Sequence, residues 1–175
     1  MDGVDGLVLS AETAIGDYVL ECVNQMRRIA YQAEKSTDYM DYAIKTMKNV
    51  PRPLSVSESI ASSAVLAARQ VNAAIIVVIT EVGGTAKLVA KYRPPMPIVA
   101  VSRLPNTTRQ LNIGFGIVSY HHKGAADAVV TDTLKYAVEL GLCTPGQIAV
   151  LTSGQVLGFS EGTTTKMQFM QVPNF

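Results

Sequence analysis

Cysteine is scarce in this chain: Cys22 and Cys143 are the two in 175 residues. That excludes a small secreted scaffold stapled by disulfides. Two thiols in different predicted helices or helix ends read as reduced and structural, which fits a reducing, cytoplasmic compartment. Charge of one sign is scarce too, since 15 Lys and Arg against 14 Asp and Glu leave a formal net charge of +1. Such a balance supplies no field for nucleic acid or an anionic membrane. Long apolar runs are missing as well. The longest, Ala73 to Ile79, is far short of the roughly 20 residues that span a bilayer. At the N-terminus acidic residues stand where a secretory leader is basic, so no targeting segment is expected. No internal repeat or low-complexity segment is present.

What the chain does have is 48% apolar residues, spread in short runs that are enough for a real core. Its length allows one domain of ordinary size plus an appendage. The pattern divides it into three parts. Residues 1–34 read as one strand and one helix. Val4, Leu7, Val8 and Leu9 form the short apolar run of a buried parallel strand. Asp17 is a candidate N-cap for a helix with apolar positions Val19, Val23, Met26, Ala30 and Ala33. Residues 35–53 are polar, bear Tyr and Lys, and close on Pro51 and Pro53. They read as a connector containing a short helix.

Residues 54–175 alternate between helical and strand patterns. Val56, Ile60, Ala64, Ala67 and Val71 mark an apolar stripe on an Ala- and Ser-rich helix. Ala74 to Ile79 is β-branched and apolar on both faces, the mark of a central strand. A helix follows over Thr85–Tyr92, ended by Arg93-Pro94-Pro95. Pro97–Ser102 is the next strand, Asn106 caps a short helix through Leu111, and Ile117–Tyr120 is a third strand. Val130, Leu134, Ala137 and Val138 give the inner face of a longer helix that stops at Gly141. Ile148–Leu151 and Met167–Val172 finish the series with no helix between them. The pattern predicts an α/β three-layer sandwich: a mainly parallel five-stranded sheet, helices on both faces, and the last strand antiparallel.

Open α/β sheets take ligands outside the C-terminal ends of their strands. The strongest candidate there is Thr80-Glu81-Val82-Gly83-Gly84-Thr85, between a strand and a helix. Adjacent glycines permit a tight turn with exposed N–H groups. The helix start adds unpaired donors and partial positive charge, and Thr80 and Thr85 add hydroxyls. That is a site for a phosphate or sulfate. Gly-Gly before a helix is also an economical βα turn, and the residues alone leave both readings open.

Three stretches carry a family resemblance. Asp2-Gly3-Val4-Asp5-Gly6-Leu7-Val8-Leu9-Ser10-Ala11-Glu12-Thr13-Ala14 resembles the pyruvate kinase run D-G-x-D-x-x-M-L-S-G-E-T-A, with Val8 for Met and Ala11 for Gly. Thr80 to Pro94 resembles that family's T-x-x-G-x-[ST]-A-x-x-[VI]-[AS]-[KR]-[YF]-[RK]-P. Pro97–Ser102 with Thr108-Arg109-Gln110-Leu111 resembles its next strand and helix. The resemblance implies the C-terminal part of a glycolytic phosphotransferase that makes pyruvate and ATP from phosphoenolpyruvate and ADP. Residues 1–34 would then be the last strand and helix of a β/α barrel, 35–53 a connector, and 54–175 the C-terminal α/β domain. It also implies a phosphate of a sugar bisphosphate effector at Thr80, Val82, Gly83, Gly84 and Thr85. A second loop, Ser153-Gly154 and onward to Gly158, would close over the sugar.

There are departures from the family pattern. Activator-binding members often carry a basic side chain where this chain has Glu81 or Gly84. The groups that grip the second phosphate fall near Ala126 and Thr133, which cannot do so. A dianionic phosphate beside Glu81 meets like-charge repulsion, while backbone donors and Lys87 favour it. Another phosphorylated effector, or none, stays open. The resemblance implies Mg2+ and K+ for the parent enzyme, with their ligands on earlier strands, and no metal site in this chain. Only Ser10, near the water chain that protonates enolpyruvate in the family, touches the catalytic periphery. A barrel active site takes about 250 residues to build, so this chain alone is expected to be inactive. The parent is expected to be a tetramer, and this chain a dimer or larger through its orphaned apolar residues.

Other residues read blandly. His121-His122 point to opposite faces of an extended chain and read as surface histidines, not a metal pair. Tyr39, Met40, Tyr42 and Met47 read as connector packing. Lys87, Lys91 and Arg93 read as a solvated helix face, and Thr163-Thr164-Thr165-Lys166 as a hairpin turn. The alternative to a kinase domain is a free-standing α/β module that binds a small phosphorylated ligand. It predicts residues 1–34 as a snug sixth strand of the same sheet.

Overall fold

Ile75–Ile79, strand β1, is buried at every position, as its β-branched run requires. It is the centre of the computed structural model, which describes residues 3–154 and 164–175. Parallel neighbours flank it: β2 (Ile98–Ser102) on one side and β4 (Ile148–Gly154) on the other. Beyond β2 lies β3 (Ile117–His121), also parallel. Beyond β4 lies β5 (Thr164–Gln171), antiparallel. The five-stranded order is β3-β2-β1-β4-β5, and the last strand runs against the rest, as a sequence with no helical pattern before it predicts.

Two apolar layers sandwich this sheet. Ile76, Val78, Ile98, Ala100 and Val150 face one side. There they meet α4 (Val56–Gln70) and α5 (Gly84–Lys91), with Leu111 at the end of α6 (Pro105–Leu111). Ile75, Val77, Val99, Val101, Ala149 and Leu151 face the other, under α7 (Val129–Glu139). Cys143 lies in this second layer, and burial pushes its thiol above the ordinary range. Alternation of the pleat assigns neighbouring residues of one strand to opposite layers.

The stripe that α4 buries differs from the expected one. Ala61, Ala64, Val65 and Ala68 are inward, while Val56 and Val71 are exposed at the helix ends. Val56 opens the helix and Val71 follows it, past the sheet, so the small residues between make the close contact. Glu58 is buried with them. Ser55 caps α4 by accepting from the Glu58 N–H at 3.1 Å. The Glu58 carboxylate accepts from the Tyr92 hydroxyl and pairs with Lys91 at 2.6 Å. Asn106 is not the cap of α6. That helix opens on Leu104 with Pro105 in its first turn, where a missing N–H costs nothing.

The leading residues depart most from expectation. Residues 3–10 form no strand, and Val4, Leu7 and Val8 are exposed rather than buried. A strand exists only where a neighbour completes its ladder, and among the described residues none pairs with these. They are no sixth strand of the sheet. After α1 (Ala11–Ala14) comes α2 (Val19–Lys35), which has no fully buried residue. It begins at Tyr18 without a side-chain cap, so Asp17 does not cap it. Its half-buried side is Cys22, Met26, Ala30 and Ala33. α3 (Tyr39–Asn49) is capped by Asp38 and inserts Ala43 and Met47 into the first layer.

Tyr92 gives a stability test. Burial, and then its bond to the Glu58 carboxylate, raise its phenol well above the ordinary value. The folded chain therefore holds that proton more tightly than the unfolded one. The contribution is complete below about pH 10 and is lost as pH rises beyond it. Tyr92→Phe leaves Glu58 short of a donor and is expected to cost about 1–3 kcal/mol in urea unfolding at neutral pH. A neutral result would show that Lys91 alone satisfies the carboxylate.

Candidate functional site

The chain leaves β1 for β2 on one side of the sheet and returns by β4 on the other. The C-terminal ends of β1 and β4 therefore flank a topological switch point, where an α/β sheet opens a crevice. Both predicted loops start there.

Thr80 is buried, and its hydroxyl accepts from the Gly83 N–H at 3.0 Å. That bond closes the turn and removes one donor that the sequence offers to a ligand. Gly83 has φ +88°, and a Cβ there would lie 2.9 Å from Leu111 Cδ2. Only glycine suits that position. Gly84 is different, with nothing within 4 Å of where a Cβ would stand. It opens α5, so the N–H groups of Gly84, Thr85 and Ala86 have no intrahelical acceptor. They carry the partial positive end of the helix. Val82 lies exposed between these donors and Glu81.

The far wall comes from β4 and β5. Ser153 is buried, with its hydroxyl 3.2 Å from the Gly154 carbonyl. A register irregularity falls between Ser153 and Gly154. The continuation to Gly158 lies outside the described residues. Thr85 Oγ1 and Thr164 Oγ1 are 2.6 Å apart, which ties α5 to the start of β5. Thr164, expected in a hairpin turn, is a strand residue, and Thr163 lies outside the described residues. The Thr152 hydroxyl, on β4 opposite Val78, is buried with no hydrogen-bond partner among the described residues.

Ser102 gives no functional signal in the sequence, yet it ties the crevice together. Fully buried at the end of β2, it donates to the Glu81 carbonyl at 2.8 Å and accepts from the Leu104 N–H at 3.1 Å. One hydroxyl thus fixes the loops after β1 and β2. The Glu81 carboxylate has one oxygen buried and without a partner among the described residues. It is the one feature of the loop that opposes an anion. Thr133 donates to the Val129 carbonyl at 2.6 Å within its own helix, and Ala126 has no polar side chain. Neither offers a grip.

Three further readings are corrected or placed. His122 is not a surface residue: it is buried beneath α7, and its Nε2 lies 3.0 Å from Asp132 Oδ2. The carboxylate of α7 makes that burial tolerable. Arg93 is not a solvated residue either. It is buried, donates to the Gly3 carbonyl, pairs with Asp5 at 2.8 Å and lies 4.2 Å from the Phe115 ring centroid. Ser10 is exposed, and its N–H donates to Glu12 Oε2 at 3.1 Å. The backbone N–H groups of Glu12 and Ser10 hold the Glu12 carboxyl below its ordinary value. Among the described residues, no group of three or more His, Cys, Asp and Glu could hold a metal.

A profile of the pyruvate kinase alpha/beta domain matches residues 58–168. The chain belongs to the pyruvate kinase family. It is 36% identical over 98% of its length to pyruvate kinase of Dictyostelium discoideum, of which the match covers 35%. With the cytosolic isozyme of Nicotiana tabacum it shares 39% identity over 86% of this chain and 34% of that one. The crystal structure of a pyruvate kinase from Cryptosporidium parvum superposes with a TM-score of 0.85 at 35% identity, covering 94% of this chain and 32% of that one. The chain thus spans about a third of the length of these family members. Among the described residues no helix is long and apolar enough to cross a membrane.

The two glycines of the loop should respond oppositely to substitution. Gly83→Ala forces a side chain into left-handed backbone and onto Leu111, and is expected to lower stability by at least about 1–2 kcal/mol. Gly84→Ala enters open space at a helix start and should be neutral or gain up to about 1 kcal/mol. Equal urea midpoints for the two variants would contradict this geometry.

Proposed function

We propose that this chain is the effector-binding and subunit-contact part of a cytoplasmic pyruvate kinase, an enzyme that moves a phosphoryl group from phosphoenolpyruvate to ADP. The observation that carries the reading is the hydroxyl-lined start of α5 at the switch point of the sheet. There, three helix N–H groups and Thr85 converge where the family resemblance expects an effector phosphate. Thr80 and Gly83 shape that cradle, and Ser153 and Gly154 form its opposite wall. Lys87, one turn into α5, adds positive charge at the rim.

Glu81 sets the selectivity of the cradle. Its carboxylate disfavours a fully ionised phosphate in a partly desolvated loop. With no second grip at Ala126 or Thr133, the ligand class is a monophosphate rather than a bisphosphate held at both ends. Mg2+ and K+ belong to the whole enzyme, where a divalent ion neutralises charge on the phosphoryl oxygens. The described residues do not fit such ions. Ser10 stands at the margin of that chemistry, without the other strands that would surround it.

The apolar residues left exposed on residues 3–18 and α2 support self-association. Val8, Ile15 and Leu20 are 92%, 87% and 74% exposed. Burying each is worth about 1.5–3 kcal/mol. A dimer or larger species in light scattering is expected, in keeping with a tetramer of the whole enzyme, and a clean monomer would refute it. A coupled assay of pyruvate formation should register nothing above background.

Thermal shift with inorganic phosphate and a panel of sugar monophosphates tests the cradle itself, because a ligand that prefers the native state must raise its melting temperature. Glu81→Gln should tighten phosphate binding about fivefold, on the order of 1 kcal/mol for one partly screened charge. Thr85→Val should weaken it. No shift with any phosphate in either the parent chain or Glu81→Gln would sink the effector reading.

A further inference from the structure

Protein interiors hold few voids larger than a water molecule, yet a cavity of about 550 Å³ opens beside Arg93. Three separate parts of the chain wall it: residues 3–7, the helices α2 and α3, and the pair Arg93 and Phe115. Most of that wall is apolar, with Val4, Leu7, Met26, Ile29, Ala30 and Phe115 among its residues. Met26, Ile29, Ala30 and Ala33 recur at three- and four-residue steps, so α2 turns a single face toward the space. The volume is that of a small-molecule site, which buries an apolar body and orients it by a few polar groups. Water against such walls finds few partners, and an apolar group that displaces it gains affinity.

One charged group of that wall is buried: the Arg93 side chain is 9% exposed. The Phe115 ring centroid lies 4.2 Å from its guanidinium carbon and the Tyr42 centroid 6.0 Å, contacts that suit a weakly hydrated, planar cation. The Gly3 carbonyl and the Asp5 carboxylate both take the Nη2 end. Neither contact uses Nη1 or Nε, and a guanidinium carries five donors in a fork that matches a carboxylate. Asp5 shows what this fork accepts, with its own carboxylate 2.8 Å from Nη2. It is a weak occupant, because its side chain is 52% exposed and half-solvated pairs contribute little. Arg27 and Glu34 also line the cavity, both exposed and opposite in sign. Tyr39 adds a phenol that burial, and then the Glu34 charge, raise above its ordinary value, so it keeps its proton to donate at neutral pH.

We infer that this cavity binds an apolar monocarboxylate, in its simplest form a medium-chain fatty acid. The ligand carboxylate replaces Asp5 on the Arg93 fork, and the alkyl chain lies along the apolar face of α2 against Val4 and Leu7. Asp5 then turns into the water that already covers half of it. Arg93 repels a cation, and the hydroxyls of a sugar phosphate would meet no partners on aliphatic walls. None of Val8, Ile15 and Leu20 lines the cavity, so ligand binding and self-association draw on different side chains. No residue of the 80–85 loop lines it either, and the two sites stand or fall separately.

Calorimetric titration of the 175-residue chain with octanoate tests the site, with the Met26 methyl resonance reporting where the probe binds. Octanoate is expected to saturate a single site per chain and to shift that resonance. Octanol has the same apolar chain without the charge and should bind about tenfold more weakly, the worth of a charge-assisted hydrogen bond. Octylamine should not bind. Asp5→Asn removes the competing carboxylate and should tighten octanoate binding about two- to fivefold. Arg93→Gln should reduce octanoate to the affinity of octanol. Should that variant fail to fold, Ala30→Phe decides: it fills the cavity from a helix with no fully buried residue and should abolish binding with Arg93 in place. The inference is overturned if octanoate leaves the Met26 methyl unmoved in both the parent chain and Asp5→Asn, the outcome expected where a second copy closes the cavity. Equal affinity for octanol and octanoate, or unchanged octanoate binding in Ala30→Phe, overturns it as well.

Discussion

The whole arrangement depends on β1 having a parallel strand on each side. A strand so placed must be apolar on both faces, which Ile75 to Ile79 satisfy. Its chain must also leave the sheet in the crevice where the direction of winding reverses. That fixes where the loop of Thr80 to Thr85 begins and how sharply it turns. Gly83 meets the turn with backbone that a side chain would strain, and Leu111 of α6 closes the space behind it. The geometry of this turn is thus a consequence of topology before it is a consequence of any ligand. Its donors are left over at a helix start that the sheet order forces into the crevice.

Buried charge is handled by short-range pairing in two other places. Glu58 on α4 is met by a phenol and an ammonium, and Arg93 by a carbonyl, a carboxylate and an aromatic ring. Such groups rarely add net stability over a well-packed apolar substitute, but removing one partner is costly. Their effect is to specify geometry. Glu58 registers α5 on α4, and Arg93 registers residues 3–5 on the end of α5. Lys91, Tyr92 and Arg93 are consecutive, at the end of α5 and just past it, so the register of the core and that of the leading segment are set together.

Much of this is legible in the residues. The β-branched run of β1, the Gly-Gly turn and the antiparallel course of β5 each follow from local physics, and each stands where the pattern predicts it. The misses share a cause. Arg93 reads as solvated because its acceptors lie ninety residues away. His122 reads as exposed because its partner, Asp132, sits on the next helix. Ser102 and Thr164 give no signal, since a hydroxyl that bonds across elements looks like any other until the elements are docked. The expected stripe on α4 runs through its larger residues, whereas close contact with α5 and the sheet selects the alanines. Periodicity identifies that a helix has a face; only its neighbours decide which one.

The leading segment shows the same limit from the other side. Val4, Leu7, Val8 and Leu9 carry the composition of a buried strand, yet residues 3–10 are not one. Composition supplies side chains suited to a sheet, but a ladder also needs the N–H and C=O groups of adjacent strands. Among the described residues no strand pairs with this segment, and Arg93 holds it through the Gly3 carbonyl and the Asp5 carboxylate. A single charged anchor leaves the apolar side chains beyond it in water, as Leu7 and Val8 are. The exposed leading stretch and the buried guanidinium that holds it are therefore two aspects of one arrangement: a charged anchor at Gly3 and Asp5, and apolar side chains left in water beyond it.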